Sequence, residues 1–254
     1  MKICQYFHPQ ISQIQSRVGI INEGKIVDPQ LCYFTDYERE GYFNSLDRAK
    51  RKIPSKLIDI LQGHDSPYDL LEEGLALHLF FEKIGHEKSF NGVDFSIPFS
   101  NELLDVPLDG ISTFRDFYVH EKHVKKGFEK RKEPVPEAWY EMPVFYKGNT
   151  NSIIGPNKTL PWPSYSNKLD YELELACVLN RDGKNIKANK MSDYIFGYTI
   201  MNDVSARDIQ KKEMSVRLGP SKGKDFCTVI GPHIVTADEF ESKNPNLKME
   251  AFIN

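Results

Sequence analysis

Long apolar runs, paired cysteines and a large excess of one charge are all lacking in this 254-residue sequence. Without a run of about 18 apolar residues, no membrane-spanning helix is expected. The first residues also lack the apolar segment and small-residue cleavage site of a secretory signal, so we predict a cytoplasmic protein. The formal net charge of −3 gives no bulk attraction to nucleic acid or to a membrane surface.

The four cysteines are far apart and include no C-x-x-C pair. Scattered cysteines in a chain of this length are typical of reduced, structural thiols, and a zinc site built on them is not expected. The basic stretch at 122–132 belongs to no recognisable nucleic-acid-binding module. The sequence therefore predicts neither a nucleic-acid partner nor a membrane partner.

Apolar residues make up 40% of the chain and aromatic residues 12%, which is enough for a folded core. We predict a small N-terminal α/β domain over residues 1–105 and a catalytic domain over residues 106–254. In the first, an Asn-Glu-Gly turn predicts a hairpin. A helix is predicted from Ser66, as its cap, and Pro67 to Gly85. At the other end, the alternating residues 246–254 predict a strand.

Two glutamates on one predicted strand are the first candidates for chemistry. In NKLDYELELACVL, Asp170, Glu172 and Glu174 share one face of the strand. Leu173 and Leu175 share the other face, and we expect them to anchor the strand in the core. The glutamates either face solvent or hold a divalent cation such as Mg²⁺ or Ca²⁺, which takes several oxygen ligands. The spacing alone leaves both interpretations open.

A second predicted strand ends at Asp203, followed at once by a short helix that Ser205 is expected to cap. Asp203 either joins a site at the rim of the sheet or simply starts the helix. Arg207 and Gln210 are three residues apart and so lie on one face of that helix. An arginine beside a cation site suits a substrate carboxylate, whereas an exposed helix arginine is ordinarily solvated.

Residues 112–132 predict a single helix with a basic end. On such a helix Asp116, His120 and His123 would form one stripe, since they are spaced i, i+4 and i+7. The string H-E-K-H is not the H-E-x-x-H motif of zinc proteases, and spacing does not say which histidine is a base. Lys224 lies in a string without P-loop spacing and points either into a site or to solvent.

Five strings, in order, resemble the fumarylacetoacetate hydrolase family: RDFYVHEKH, MPVFYKGN, LDYELELACVL, YTIMNDVSARDIQ, and LGPSKGKDF followed by IGP. They span about residues 116–236, nearly half of the chain. The resemblance implies an α+β, β-rich fold, namely a fumarylacetoacetase-like mixed β-sheet roll rather than a doubly wound sheet. The region before it resembles the small N-terminal domain of the family only loosely. We also predict a homodimer.

The resemblance further implies a set of site residues. The ligands of one Mg²⁺ or Ca²⁺, with Mn²⁺ as another option, would be Asp116, Glu172, Glu174 and Asp203. The catalytic residues would be His123 as general base, with Lys224 and Gln210 as oxyanion contacts. Substrate contacts would be Arg207, Tyr118 and Tyr146, while His120 matches no functional position.

Three functions are consistent with these residues. The first is a metal-dependent hydrolase that cleaves a carbon–carbon bond in β-diketo or oxo-acid substrates. The second is an oxo-acid decarboxylase, isomerase or hydratase, and the third is a non-catalytic remnant that binds metal or a partner. The aspartate–histidine segment favours the first, because many other members of the family lack it. Members also continue past this sequence with a site-closing loop and an acidic partner for the histidine, so we expect the C-terminal part of the fold to be missing.

Overall fold

The structure is a computed structural model that describes residues 1–89, 91–241 and 245–253. The α-helices of this part are α1 (Pro29–Arg39), α2 (Ser45–Lys52), α3 (Leu57–Gly63), α4 (Pro67–Lys83), α5 (Glu121–Arg131), α6 (Ala138–Glu141) and α7 (Arg207–Ser215). The strands are β1 (Lys2–Tyr6), β2 (Arg17–Asn22), β3 (Lys25–Val27), β4 (Ser96–Pro98), β5 (Arg115–Phe117), β6 (Phe145–Lys147), β7 (Ile153–Ile154), β8 (Leu169–Asp170), β9 (Leu173–Leu179), β10 (Ile195–Asp203), β11 (Ser205–Ala206) and β12 (Thr228–Thr236).

Most of these strands form one large sheet in the order β4-β3-β2-β1-β12-β10-β9. Its neighbours are antiparallel, except that β7 runs parallel to the first half of β12. β1 and β7 share one edge of β12, where Ile3 pairs with Ile234 and Ile153 pairs with Thr228. The sheet is therefore mixed, as predicted, and it is not the parallel sheet of a doubly wound fold.

Strands from both predicted domains contribute to this sheet. The β1–β12 pairing joins the first and the last of the described strands. One buried core combines helix residues such as Leu31 of α1 and Leu71 of α4 with sheet residues such as Ile234. Burying a leucine side chain of this kind contributes about 1.5–3 kcal/mol. The proposed boundary at residues 105 and 106 stays a prediction.

The predicted hairpin and helix of the N-terminal region are both present. Gly24, in the turn between β2 and β3, has a φ of +76°, which a glycine adopts without the penalty of a side chain. α4 begins at Pro67 and is followed by Gly85 with a φ of +71°. Ser66 makes no cap to the helix backbone and instead donates to the Asp69 carboxylate at 2.5 Å.

The helix predicted over 112–132 is wrong in its first half. This segment forms β5, which pairs with β6, and α5 begins only at Glu121. Asp116 is therefore on a strand, and the predicted stripe of one aspartate and two histidines does not exist. Phe117 pairs with Phe145 across the two strands, with ring centroids 5.0 Å apart. Such a cross-strand aromatic contact stabilises a strand pair and is lost in a helix.

Two smaller expectations are also wrong. Ser205 lies in β11, paired with β8, and donates to the Asp203 carbonyl instead of capping α7. Ala206 takes the cap position of α7 without a side-chain hydrogen bond. Residues 246–253 form no strand, and Asn254 is outside the described residues.

The leucine face of β9 does not point into the core. Leu175 is 40% exposed and Leu173 is half-buried, whereas Ala176 and Val178, on the opposite face, pack in the core. The expectation that Leu175 anchors the strand is therefore wrong. Because alternate residues share a face, Glu174 projects on the same side of the sheet as the core. The alternation of residues defines the two faces of β9, but the packing of other elements against the sheet determines which face is buried.

The four cysteines are free, as predicted. Burial of Cys4 and Cys32 is the main cause of the raised pKa of both thiols. Among the described helices, none is both long and apolar enough to cross a bilayer.

Candidate active site

Three carboxylates from three strands meet at one point. They belong to Asp116 on β5, Glu174 on β9 and Asp203 at the end of β10, and one oxygen of each lies within 4.8 Å of the others. Glu174 pairs across the sheet with Met201, two residues before Asp203, so the two acids project from the same face. β5 brings Asp116 from a separate two-stranded sheet.

The chemistry of this group fits a divalent cation. Asp116 Oδ2 and Asp203 Oδ1 are buried, and neither has a hydrogen-bond partner among the described residues. Leaving such an atom unpaired costs about 1–3 kcal/mol, a penalty that a bound cation would relieve. Burial, followed by the charge of Asp203, raises the pKa of Asp116, and burial, followed by the charge of Asp116, raises the pKa of Glu174. A hard cation would reverse this repulsion.

Lys224 approaches the same group beside Asp203. The fully buried Asp203 accepts two hydrogen bonds at Oδ2, from Lys224 Nζ at 2.5 Å and from the Tyr146 hydroxyl at 2.5 Å. Lys224 Nζ also donates to Glu172 Oε2 at 2.6 Å. Burial, then the charge of Asp203, raises the pKa of Tyr146, so its hydroxyl stays a donor at neutral pH. The ammonium compensates charge that would otherwise be buried alone.

Glu172 lies beside the three carboxylates and is held by basic residues. Its Oε1 accepts from Arg207 Nη1 at 2.5 Å. Burial opposes ionisation of Glu172, but Lys224 and Arg207 outweigh it and keep the pKa below its usual value. Arg207 Nε donates to Asp170 at 2.8 Å, and Nη1 also donates to Gln210 Oε1 at 3.1 Å. Its Nη2 has no partner among the described residues and remains open for an anionic group.

His123 is exposed near the start of α5, and His120 is exposed just before that helix. The His123 ring meets the Tyr118 ring edge to face, with centroids 5.7 Å apart and an angle of 88° between planes. Tyr118 follows Asp116 by two residues, so this contact connects the histidine to the strand that carries a carboxylate. Within the described part of the chain, the imidazole has no hydrogen bond to an acidic side chain.

Direct contacts thus join eight of the ten predicted site residues: Asp116, Tyr146, Glu172, Glu174, Asp203, Arg207, Gln210 and Lys224. Tyr118 and His123 contact each other and are connected to the rest through β5. Their individual roles stay predictions. Sequence reasoning assigned no role to Asp170, although alternation already placed it on the face of Glu172. It had no signal at all for Asn202, whose Oδ1 accepts from the Glu172 N–H at 3.1 Å.

Solved structures of similar fold include two hydrolases. The fumarylacetoacetate hydrolase from psychrophilic Exiguobacterium antarcticum aligns with a TM-score of 0.57 at 20% identity, covering 95% of this chain and 68% of that one. The maleylpyruvate hydrolase from Sphingobium sp. SYK-6, in complex with manganese (II) ion and pyruvate, aligns with a TM-score of 0.55 at 15% identity, covering 95% and 69%. These alignments confirm the fumarylacetoacetase-like fold.

Sequence relatives point to the same family. A fumarylacetoacetase from Oryza sativa subsp. japonica is 36% identical over 162 residues, which are 56% of this chain and 37% of that protein. An oxaloacetate tautomerase from Xenopus laevis is 36% identical over 121 residues, 45% of this chain and 36% of that protein. The chain thus spans little more than a third of the length of these relatives. The family described as Fumarylacetoacetate (FAA) hydrolase C-terminal matches residues 112–254, more than half of the chain. The chain therefore belongs to the fumarylacetoacetate hydrolase family.

Proposed function

We propose that this site is that of a metal-dependent hydrolase, which cleaves a carbon–carbon bond in β-diketo or oxo-acid substrates. The observation that carries the proposal is the meeting of Asp116, Glu174 and Asp203 beside the buried Lys224. Acidic groups with unpaired buried oxygens suit a divalent cation, and a buried ammonium suits a negative charge that develops during reaction. The hydrolases among the relatives support the reaction class.

Asp116, Glu174 and Asp203 would hold the cation. Glu172, which lies beside them, stays the fourth predicted ligand. Mg²⁺, Ca²⁺ and Mn²⁺ all take oxygen ligands, and the related maleylpyruvate hydrolase was solved with manganese (II). When bound, a divalent cation supplies Lewis acidity to the oxygens of a chelating substrate. Tyr146 and Lys224 orient Asp203 through their two hydrogen bonds.

Arg207 is the candidate anchor for a substrate carboxylate. Asp170 and Glu172 fix the guanidinium from two sides. Nη2 is bonded to none of the residues that the structure describes, so it can donate to a ligand. Fixing a guanidinium in advance lowers the entropy lost when it binds an anion. Tyr118 and Tyr146 would then contact the body of the substrate.

In hydrolysis, an imidazole nitrogen of His123 takes a proton from water as the water oxygen adds to a carbonyl carbon. The carbon–carbon bond then breaks, and its electron pair stays on the oxo-acid fragment, which receives a proton in turn. The other fragment leaves as a carboxylic acid. The Lys224 ammonium and the Gln210 amide stabilise the negative charge that develops, and losing one such contact typically costs about 3 kcal/mol.

Replacement of Glu174 tests the proposal directly. We expect Glu174→Ala to lose both bound Mn²⁺ in a metal titration and turnover of fumarylpyruvate or an acylpyruvate. The exposed Glu38→Ala in α1 is the control and should keep both. Full metal-dependent turnover by Glu174→Ala would rule out the ligand assignment.

A second candidate is an oxo-acid tautomerase, isomerase, decarboxylase or hydratase. It is favoured by the exposure of His123, which has no acidic partner in the described residues, and by the related tautomerase. His123→Gln separates the two functions. Hydrolysis should fall at least 100-fold, whereas a reaction that depends only on the metal-binding carboxylates should persist. Metal binding without turnover of either substrate class would instead support a non-catalytic protein. The homodimer and the cytoplasmic location stay predictions.

A further inference from the structure

One carboxylate outside the candidate metal site accepts hydrogen bonds from every residue of a short loop, residues 221–223. Glu213, near the end of α7, accepts four hydrogen bonds from residues 221–223. Its Oε2 accepts from the backbone N–H groups of Ser221 at 3.1 Å and Gly223 at 3.0 Å. Its Oε1 accepts from the Lys222 N–H at 2.7 Å and from the Ser221 hydroxyl at 2.9 Å. Both oxygens are therefore committed to the same loop.

The rest of α7 packs against this loop as well. The Ala206 N–H, at the start of the helix, donates to the Gly223 carbonyl at 2.8 Å. A Cβ atom on Gly223 would lie only 2.9 Å from the backbone nitrogen of Gln210, so only glycine allows this approach. Arg207, Gln210 and Glu213 recur every three residues and lie on one side of the helix. The helix and the loop are thus held together by hydrogen bonds and by this close backbone approach.

Lys224 follows the loop directly. Its N–H donates to the Ser221 carbonyl at 2.8 Å, which closes a turn, and its side chain then reaches Asp203 and Glu172. The position of Nζ is set by the backbone before it. We propose that Glu213 is a positioning residue: its carboxylate clamps residues 221–223 to α7 and so holds the Lys224 ammonium between Glu172 and Asp203. Its importance for turnover rests on the proposed function.

The geometry requires a carboxylate at this position. In Glu213→Gln, either orientation of the amide places its NH₂ group against at least one backbone N–H, which cannot turn away as a hydroxyl can. Two donors then face each other, and a loop amide loses its acceptor. Burial raises the pKa of Glu213, but the loop's hydrogen bonds outweigh this and bring the pKa below its usual value. The clamp is thus ionised at neutral pH.

Two measurements on the metal-free full chain test the clamp without any substrate. Hydrogen exchange, followed by mass spectrometry, reports the amides of residues 221–223, and acetic anhydride labelling reports the accessibility of Lys224. For Glu213→Gln we expect both rates to rise at least tenfold. The control is Glu129→Gln, an exposed glutamate that is likewise third from the end of its helix, α5, and it should change neither rate. Unchanged rates in Glu213→Gln would overturn the proposal.

A third measurement, kinetics, tests the consequence for the reaction. With Lys224 displaced, kcat should fall at least tenfold while KM stays within twofold, because Arg207 still binds substrate. A uniform loss of both parameters, with exchange faster throughout the chain, would indicate general unfolding. In that case the milder variant Ser221→Ala decides, because it removes only one of the four hydrogen bonds to Glu213. Hydrogen exchange that is two- to fivefold faster in residues 221–223 alone would support the proposal. Unchanged exchange in these residues would refute it. If the wild-type protein shows no turnover, the proposed function fails, whereas exchange and labelling still decide on Glu213.

Discussion

Lys224 Nζ lies 2.5 Å from Asp203 Oδ2, and both side chains are buried, the lysine at 4% exposure and the aspartate at 0%. Glu172 accepts a hydrogen bond from the same ammonium, so one lysine neutralises the charge of only one of the two carboxylates that it contacts. The charge of the cluster is thus only partly balanced by protein groups, and a cation is the natural complement.

Replacing Lys224 should therefore destabilise the metal-free protein. Lys224→Met leaves Asp203 buried without its charged partner, and we expect a loss of about 3–5 kcal/mol in the free energy of unfolding. Urea denaturation measures this loss, and added Mn²⁺ should recover part of it. Lys222→Met, at the exposed neighbouring position, should change stability by less than about 0.5 kcal/mol. Equal stability of the two variants would contradict the role given to the Lys224–Asp203 pair.

Stabilisation by metal should increase with pH. The pKa values of Asp116 and Glu174 are raised in the folded, metal-free protein, mainly by burial. Their contribution to stability is fully present below the unfolded pKa of about 4 and is lost as the pH rises through the raised folded values. A cation binds the ionised carboxylates, so it opposes this loss. We expect the rise in Tm caused by saturating Mn²⁺ to be larger at pH 8 than at pH 6. In Glu174→Gln the difference between the two pH values should shrink, and an equal rise in the wild type at both would refute this linkage.

Arg207→Lys should separate binding from chemistry. A lysine is a single point charge and cannot contact Asp170, Glu172 and a substrate carboxylate together. We expect KM to increase about tenfold with kcat within threefold, measured by steady-state kinetics on an acylpyruvate. Lys211→Ala, at an exposed position on the same helix, serves as the control. An unchanged KM would remove Arg207 from the substrate site.

Asp28 should be a strong determinant of stability in the N-terminal region. Its fully buried carboxylate accepts from Arg17 Nε at 2.6 Å, from the Tyr6 hydroxyl at 3.0 Å and from the Leu31 N–H at 2.9 Å. Asp28→Asn leaves the guanidinium without its counter-charge, so we expect a loss of about 3–5 kcal/mol in urea denaturation. Asp109→Asn, which breaks an exposed pair with Lys56, should cost no more than about 1 kcal/mol. If both cost the same, the buried network is not the cause.

Local structure was predictable where a single chemical rule decides it. The turn at Gly24 and the start of α4 at Pro67 follow from backbone φ preferences. The prediction failed at residues 112–117, because the residue pattern there is compatible with both helical spacing and strand alternation. There the pairing of β5 with β6, which is a contact distant in sequence, decided the outcome.

The amino-acid sequence by itself determined the family and grouped Glu172 and Glu174 on one face of a strand, because alternation is a local property of the chain. It left open whether these glutamates are solvated or part of a site. Only the tertiary structure decided that Glu174 meets Asp116 and Asp203, while Glu172 is held by Arg207 and Lys224. It also decided that Leu175 is on the exposed side of the sheet. The reason is physical: burial and charge pairing depend on which distant elements cover a face, and that is a property of the whole fold.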